Sequence, residues 1–346
     1  MPLTFSIVVE TENLGMTGLD DLRATLDSLA AQTRPIQQAN EVLLVVGGHL
    51  PESTQKELAA IYPWASILDA GRILEYTLAK RMGAESASGE FVIFADSDVR
   101  YESTWLEGIL SCLESDPEAD LVAGDTQCEM TSAYAAAMNI MWMFNIQKRI
   151  SRPAPHSYFQ LNNFAVRRSL LLDAPFDPDL PFYRGYRITR FKRDLLSRTR
   201  RTYRVPGAEG LHTAPQSLAD WWYLMLIQGR DAGAYVALYK KRGIVRRIVH
   251  VTRFVAGKFA IGWQNAVNLI GNDRRNMPWV IASIPLCIVC GGVVALGGLI
   301  SVFEPNYLLR TINTHSNGRG RLRRYGVSTI VRSSAVPLEG TSNSRE

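Results

Sequence analysis

The 346-residue chain has only four cysteines, and none is placed as a disulfide framework would need: Cys112 and Cys128 are isolated, while Cys287 and Cys290 lie inside an apolar run. A small disulfide-stapled secreted scaffold is excluded, and a reducing compartment is expected. The C-x-x-C spacing of the last pair lacks the second pair or the histidines of a zinc site, so packing is its expected role. Residues 1–10 carry no basic start and too short an apolar run for a secretory leader, so the amino-terminal part is expected on the cytoplasmic side. Acidic side chains become scarce beyond residue 140: residues 1–140 hold 22 acidic against 7 basic groups (−15), and residues 141–346 hold 11 against 31 (+20). A basic half suits anionic lipid headgroups, diphosphates or nucleic acid. Its aromatics form no stacking module, which argues against a nucleic-acid partner.

One stretch has no charge at all. Residues 277–303 are 27 uncharged residues, about 40 Å as a helix against a hydrocarbon core of roughly 30 Å. With Arg274, Arg275 and Arg310 as flanks, a membrane span is expected. Pro285 and the pairs Gly291-Gly292 and Gly297-Gly298 also allow a kinked or re-entrant segment. Basic groups on both sides leave its orientation open. Residues 243–271 mix Arg246, Arg247, Arg253 and Lys258 with Ile248, Phe254, Phe259, Ile261 and Trp263, as in a helix at a membrane interface or a solvated surface helix. From about residue 313 the chain has too little apolar surface to pack and is expected to be flexible. The expected division is a domain over 1–235, a basic amphipathic segment over 236–275, a transmembrane or re-entrant helix over 276–304, and a basic tail over 305–346.

Within the first part, apolar strand-like runs alternate with helical patterns. Residues 5–9 form a β-branched run followed by a polar turn with Thr11, Glu12 and Asn13; Leu19, Leu22, Leu26 and Leu29 repeat at helical spacing; residues 41–46 return to a strand pattern closed by Gly47-Gly48. Helices are expected over 53–62 and 74–88, strands over 66–68, 91–95 and 121–124, and another helix from 103 or 104. Ser217 reads as an N-cap with Asp220 three residues on, and Gly229 as the end of that helix. Such alternation predicts an α/β protein with a mixed, mainly parallel sheet covered by helices on both faces. Ligands of open sheets of this kind bind at the carboxyl ends of the strands.

Asp96, Ser97 and Asp98 stand at such an end, directly after the strand 91–95. Two carboxylates there can share a hard divalent cation that keeps positions open for phosphate oxygens. The triplet alone is weak evidence, since about one arises by chance in a chain of this length. Its position after the strand is what gives it weight.

Over residues 5–233 the chain resembles the family 2 glycosyltransferases, which have a GT-A (Rossmann-like) fold. The resemblance rests on the first strand with its Thr11 and Asn13 turn, on Gln32 after the leucine helix, on residues 76–89 with Ala79, Arg81, Gly83 and Ala87, and on Gly89-Glu90 running into Asp96-Ser97-Asp98. Further on, Asn162-Asn163-Phe164 to Arg168 is similar to the family's acceptor-side strand, with Phe176-Asp177 after it, and Val205-Pro206 leading to His212 is similar to its final strand and histidine. The resemblance implies sugar transfer from a nucleoside diphosphate donor to an acceptor hydroxyl, metal dependent with Mg²⁺ or Mn²⁺ and inverting; Gln228-Gly229-Arg230 and Trp221-Trp222 do not reproduce the Gln-x-x-Arg-Trp element of processive synthases, so non-processive transfer is expected. It implies donor contacts from Thr11, Glu12, Asn13, Arg81, Asp96 and Ser97, metal ligands Asp96, Asp98 and His212, and acceptor contacts from Asn162 and Asn163; the cationic cluster with Arg187 suits a phosphorylated or lipid-linked acceptor or, equally, lipid headgroups. The expected partners are the nucleotide-sugar donor, a sugar, lipid-linked or other hydroxyl acceptor, and membrane lipids, with the catalytic domain at the cytoplasmic face of a membrane.

Two departures stand out. Gly47-Gly48 replaces the aspartate that usually ends the second strand and reads the base. The family's Glu-Asp pair before the final histidine is missing: residues 183–204 contain nine Arg or Lys and one acid, Asp194. An inverting displacement needs a base, and Asp194 is the candidate. The competing expectation is a nucleotide-sugar-binding scaffold at the membrane with impaired catalysis.

Overall fold

The computed structural model describes residues 3–12, 18–48, 50–71, 76–142, 144–173, 184–215, 217–308 and 311. Asn13, Phe176-Asp177, Arg310 and the tail from residue 312 lie outside the described residues.

The described residues form a nine-stranded sheet. Its first half is parallel: β3 (Ala65–Asp69), β2 (Val42–Val46), β1 (Phe5–Glu10) and β4 (Phe91–Asp96) lie side by side in that order. Every residue of β1, β2 and β4 is buried, as their unbroken apolar runs predict for strands covered on both faces. The sheet continues through β8 (Asn163–Arg167), antiparallel to β4, then β6 (Leu121–Cys128), β9 (Thr202–His212) and β5 (Val99–Tyr101). The short β7 (Ala154–Pro155) adds to β9. Strand alternation divides the core. Phe5, Ile7, Val9, Ile93 and Ala95 pack on one side with Leu22, Leu26 and Leu29 of α1 (Leu19–Ala30), Leu58 of α2 (Glu52–Ile61) and Trp105 of α4 (Trp105–Ser115). Val8, Val92 and Phe94 pack on the other with Tyr76, Ala79 and Ala84 of α3 (Tyr76–Ser86) and with Phe191 and Leu195 of α7 (Arg184–Leu196).

A third core joins α5 (Ala133–Met141), α8 (Leu218–Ala234), α9 (Ile244–Asn272), α10 (Met277–Ala282) and α11 (Ile284–Phe303); α6 (Arg168–Asp173) follows β8. Ser217 caps α8 as expected, accepting from the Asp220 N–H at 3.0 Å. Gly229, however, does not end that helix. It sits inside because α11 comes so close that a Cβ there would stand 1.8 Å from the Val294 carbonyl oxygen. The 27-residue apolar run is also interrupted. Pro285, the second residue of α11, has no N–H to donate, and the Ser283 hydroxyl donates to the Val280 carbonyl at 2.7 Å at the junction of α10 and α11. All four cysteines are free thiols and buried, so Cys287 and Cys290 do pack.

Candidate active site

Asp96 is the last residue of β4, and Asp98 lies in the turn that leads into β5. Pairing of β5 with β9 sets Val99 opposite His212, and the Thr213 N–H donates to the Asp98 carbonyl at 2.9 Å. The sheet thereby delivers His212 to the turn: its Nε2 stands 3.5 Å from Asp98 Oδ1, both side chains nearly sealed from solvent. The tautomer follows from the other ring nitrogen. Nδ1 is 2.7 Å from the Thr213 carbonyl oxygen, which can only accept, so Nδ1 carries the proton. A neutral ring in that tautomer presents its Nε2 lone pair toward the carboxylate oxygen, as a metal ligand must. Two acceptors so placed repel unless a proton or a metal ion lies between them. Cis ligands of an octahedral Mg²⁺ at about 2.1 Å stand ~3 Å apart, close to the observed spacing. The Ser97 hydroxyl between the two aspartates is buried and has no hydrogen-bond partner among the described residues. These observations fit a divalent ion at Asp98 and His212. Among the described residues no group of three or more His, Cys, Asp and Glu is placed to hold a metal ion, so the remaining ligands would be waters and oxygens of a bound anion, the usual arrangement for Mg²⁺ with phosphates.

Asp96 has different neighbours. Lys80 Nζ is 2.5 Å from its Oδ1 and the Tyr76 hydroxyl donates to its Oδ2 at 3.0 Å, all three side chains buried. Its backbone N–H donates to the Tyr101 hydroxyl at 3.0 Å, and that hydroxyl donates to the Asn162 carbonyl at 2.5 Å. Burial, then the Asp96 charge, holds the Tyr101 phenol well above its usual range, so it stays a donor. Beside them, burial and next Asp96 push the Glu10 carboxyl at the end of β1 well above its ordinary value. Glu10 Oε2 accepts from the Glu12 N–H at 2.8 Å.

Of the other expected contacts, Thr11 is buried with its hydroxyl donating to the Val45 carbonyl at 3.0 Å. Asn162 Oδ1 accepts from the Thr126 hydroxyl at 3.1 Å. Asn163 ties strands together, accepting from Trp105 Nε1 at 2.7 Å and donating to the Asp125 and Ala208 carbonyls at 2.8 and 3.0 Å. Arg81 pairs with Glu85 at 2.7 Å on the outer side of α3. Asp194 is half-exposed on α7 between Arg190 and Arg193, at 3.5 Å from each. Arg187 belongs to α7, but its side chain lies outside the described residues.

Lys80, Tyr76 and Glu10 were not singled out from the sequence, although a signal exists for Lys80. It shares a helical stripe with Tyr76, Ala79 and Gly83, which marks the inward side of α3. The ring wall around His212 carries no such signal. Trp142 and Phe144 meet it edge-on, with centroids at 5.0 and 5.6 Å. Asn265 of α9 holds that wall from behind, donating to the Asn139 and Phe144 carbonyls at 3.0 Å each and accepting from the Ile146 N–H at 2.9 Å.

Residues 6–173 match the family model described as Glycosyl transferase family 2. Among solved structures the chain is similar to GalNAc-T7 with UDP, GalNAc and Mn²⁺, at 14% identity over 74% of this chain and 55% of that chain, with a TM-score of 0.50. It is also similar to the mannosyltransferase PcManGT from Pyrobaculum calidifontis in complex with GDP-Man and Mn²⁺ (15% identity, 91% and 84% coverage, TM-score 0.48) and to S. aureus TarS 1-349 (16%, 88% and 91%, 0.49). This chain thus spans 55% of the length of the GalNAc-T7 chain. At these identities the likeness concerns the fold. No curated protein matches the sequence.

Proposed function

We propose, on the premise that this chain is a glycosyltransferase with a family 2 domain, that it moves a sugar from a nucleoside diphosphate donor to an acceptor hydroxyl with the aid of a divalent ion at Asp98 and His212. The observation that carries this reading is the facing pair of Asp98 Oδ1 and His212 Nε2 at the carboxyl end of β4. The ion, Mg²⁺ or Mn²⁺, would neutralise charge on the departing diphosphate. GalNAc-T7, which shares the fold, was crystallised with UDP and Mn²⁺.

The chain's own residues fix the geometry. Lys80 and Tyr76 hold the Asp96 side chain still, so that the turn presenting Ser97 and Asp98 does not shift. The Nδ1 bond to Thr213 keeps the His212 lone pair directed at the site, and Trp142 and Phe144 exclude water from its flank. The Ser97 hydroxyl is placed to donate to a donor oxygen. Inverting, non-processive transfer to a lipid-linked acceptor at the cytoplasmic face of a membrane completes the proposal; the uncharged α11 and the basic carboxyl-terminal half support it. Asp194 is the base this reading inherits, half-exposed on α7 with Arg190 and Arg193 each 3.5 Å away.

A panel of UDP- and GDP-sugars with Mn²⁺ tests this. Slow release of nucleoside diphosphate from one donor, lost in Asp98→Asn, is expected. Donor binding without metal-dependent release would instead favour a scaffold that binds donor without turnover. An undiminished rate in Asp194→Asn would remove that residue as the base.

A further inference from the structure

The carboxyl-terminal helices turn apolar surface outward. Among the described residues, 17 of the 22 exposed large apolar side chains lie between Ile244 and Tyr307. On α11 the two sides are distinct. Cys287, Cys290, Val294, Gly297, Gly298 and Ser301 face inward, whereas Ile284, Ile288, Val289, Leu296, Leu299 and Phe303 are exposed. No polar side chain interrupts that outward stripe, which is ~30 Å long at about 1.5 Å per residue. On α9, Val245, Val249, Phe259, Trp263 and Val267 make a second exposed stripe, with Trp263 75% exposed. The two stripes join where the Phe259 ring lies over Gly291, so close that a Cβ there would stand 2.2 Å from it. Met277, Trp279 and Ile281 of α10 extend the same kind of surface. Contiguous apolar surface of this extent marks an interaction face.

Charge identifies the partner. Residues 232–303 contain nine Lys or Arg and a single acid, Asp273. Anionic lipid headgroups match that balance. The inward side of α11 decides how the helix meets them. Gly229 and Gly233 of α8 abut Val294 and Gly298 backbone to backbone, and Gly297 abuts the Leu226 carbonyl. Turning α11 across a bilayer would strip it from α8, or draw α8 with its buried Arg230 and Asp231 into hydrocarbon.

We propose that α9, α10 and α11 form a monotopic docking face. They lie in the plane of one leaflet, with the outward stripes among the acyl chains and Lys240, Lys241, Arg242, Arg246, Arg274 and Arg275 against anionic headgroups. This rests on the membrane attachment in the reading above and not on the donor chemistry.

The test uses the full chain and vesicles of phosphatidylcholine with or without phosphatidylglycerol. Flotation about tenfold stronger on the anionic vesicles is expected, and it is lost in Trp263→Asp combined with Ile288→Asp. Since the native thiols are buried, labels at Ile284→Cys, Leu296→Cys and Phe303→Cys report depth by quenching from brominated acyl chains. One shallow depth for all three supports the proposal. A deep Leu296 label between ends at opposite headgroup layers overturns it in favour of a span. A chain that doubles in mass and ignores vesicles overturns it in favour of a second copy. Metal-dependent donor hydrolysis measured on the same samples separates failure of docking from failure of the transferase reading.

Discussion

The two aspartates of the Asp96-Ser97-Asp98 turn have different work because they have different neighbours. Asp96 is occupied by Lys80 and Tyr76, whereas Asp98 faces the His212 Nε2. Lys80→Met is therefore expected to cost ~3–5 kcal/mol in urea unfolding, because it leaves a buried carboxylate uncompensated, and adding Asp96→Asn should restore part of that loss. Asp98→Asn should leave the unfolding midpoint nearly unchanged. Glu10 gives a pH signature. Its folded value is raised by burial and then by Asp96 above the ordinary 4.5. The folded protein keeps a proton that the unfolded chain releases, so stability should fall as pH rises from about 4.5 toward the folded value. Glu10→Gln should flatten that slope, as read from denaturation midpoints in the presence of chelator. Lys80 and Arg81 also show where the sequence reading stopped. Adjacent helix residues point about 100° apart: Arg81 pairs outward with Glu85 while Lys80 turns to Asp96. The phase of α3 becomes visible only once its inward stripe is traced.

Strands buried on both faces were legible because a continuous apolar run is their direct signature, as in β1, β2 and β4. The partner of Asp98 was less so. His212 arrives through β5–β9 pairing across more than a hundred residues, and no local pattern encodes that register. Gly229 misled for a related reason. A glycine near a helix end reads as a stop, but here a distant helix requires it. Gly229→Ala should then force α8 from α11 and cost ~2 kcal/mol or more in thermal or urea unfolding, whereas Gly257→Ala, with nothing nearby to meet the added carbon, should be neutral or slightly stabilising. Asn265→Ala removes three backbone bonds at the back of the His212 wall. A loss of ~2–4 kcal/mol is expected, together with weaker Mn²⁺ binding as Trp142 and Phe144 loosen.

Across the molecule, charge and function divide together. The acidic amino-terminal part supplies six of the sheet's nine strands and the Asp96-Ser97-Asp98 turn, and the basic remainder supplies the other three strands, α7 and the helices that carry apolar surface outward. Composition revealed this asymmetry, but not that α9 also braces the ring wall around His212 through Asn265, which joins the proposed docking helices to the proposed site. The account rests on Asp98 and His212 sharing an ion with a diphosphate. Its most direct test is titration of Mn²⁺ into the protein followed by electron paramagnetic resonance, with and without UDP or GDP. One site whose affinity rises with a nucleoside diphosphate, and falls ~10–100-fold or more in both Asp98→Asn and His212→Ala, is predicted; Mn²⁺ binding that ignores both nucleotides and survives both substitutions would contradict it.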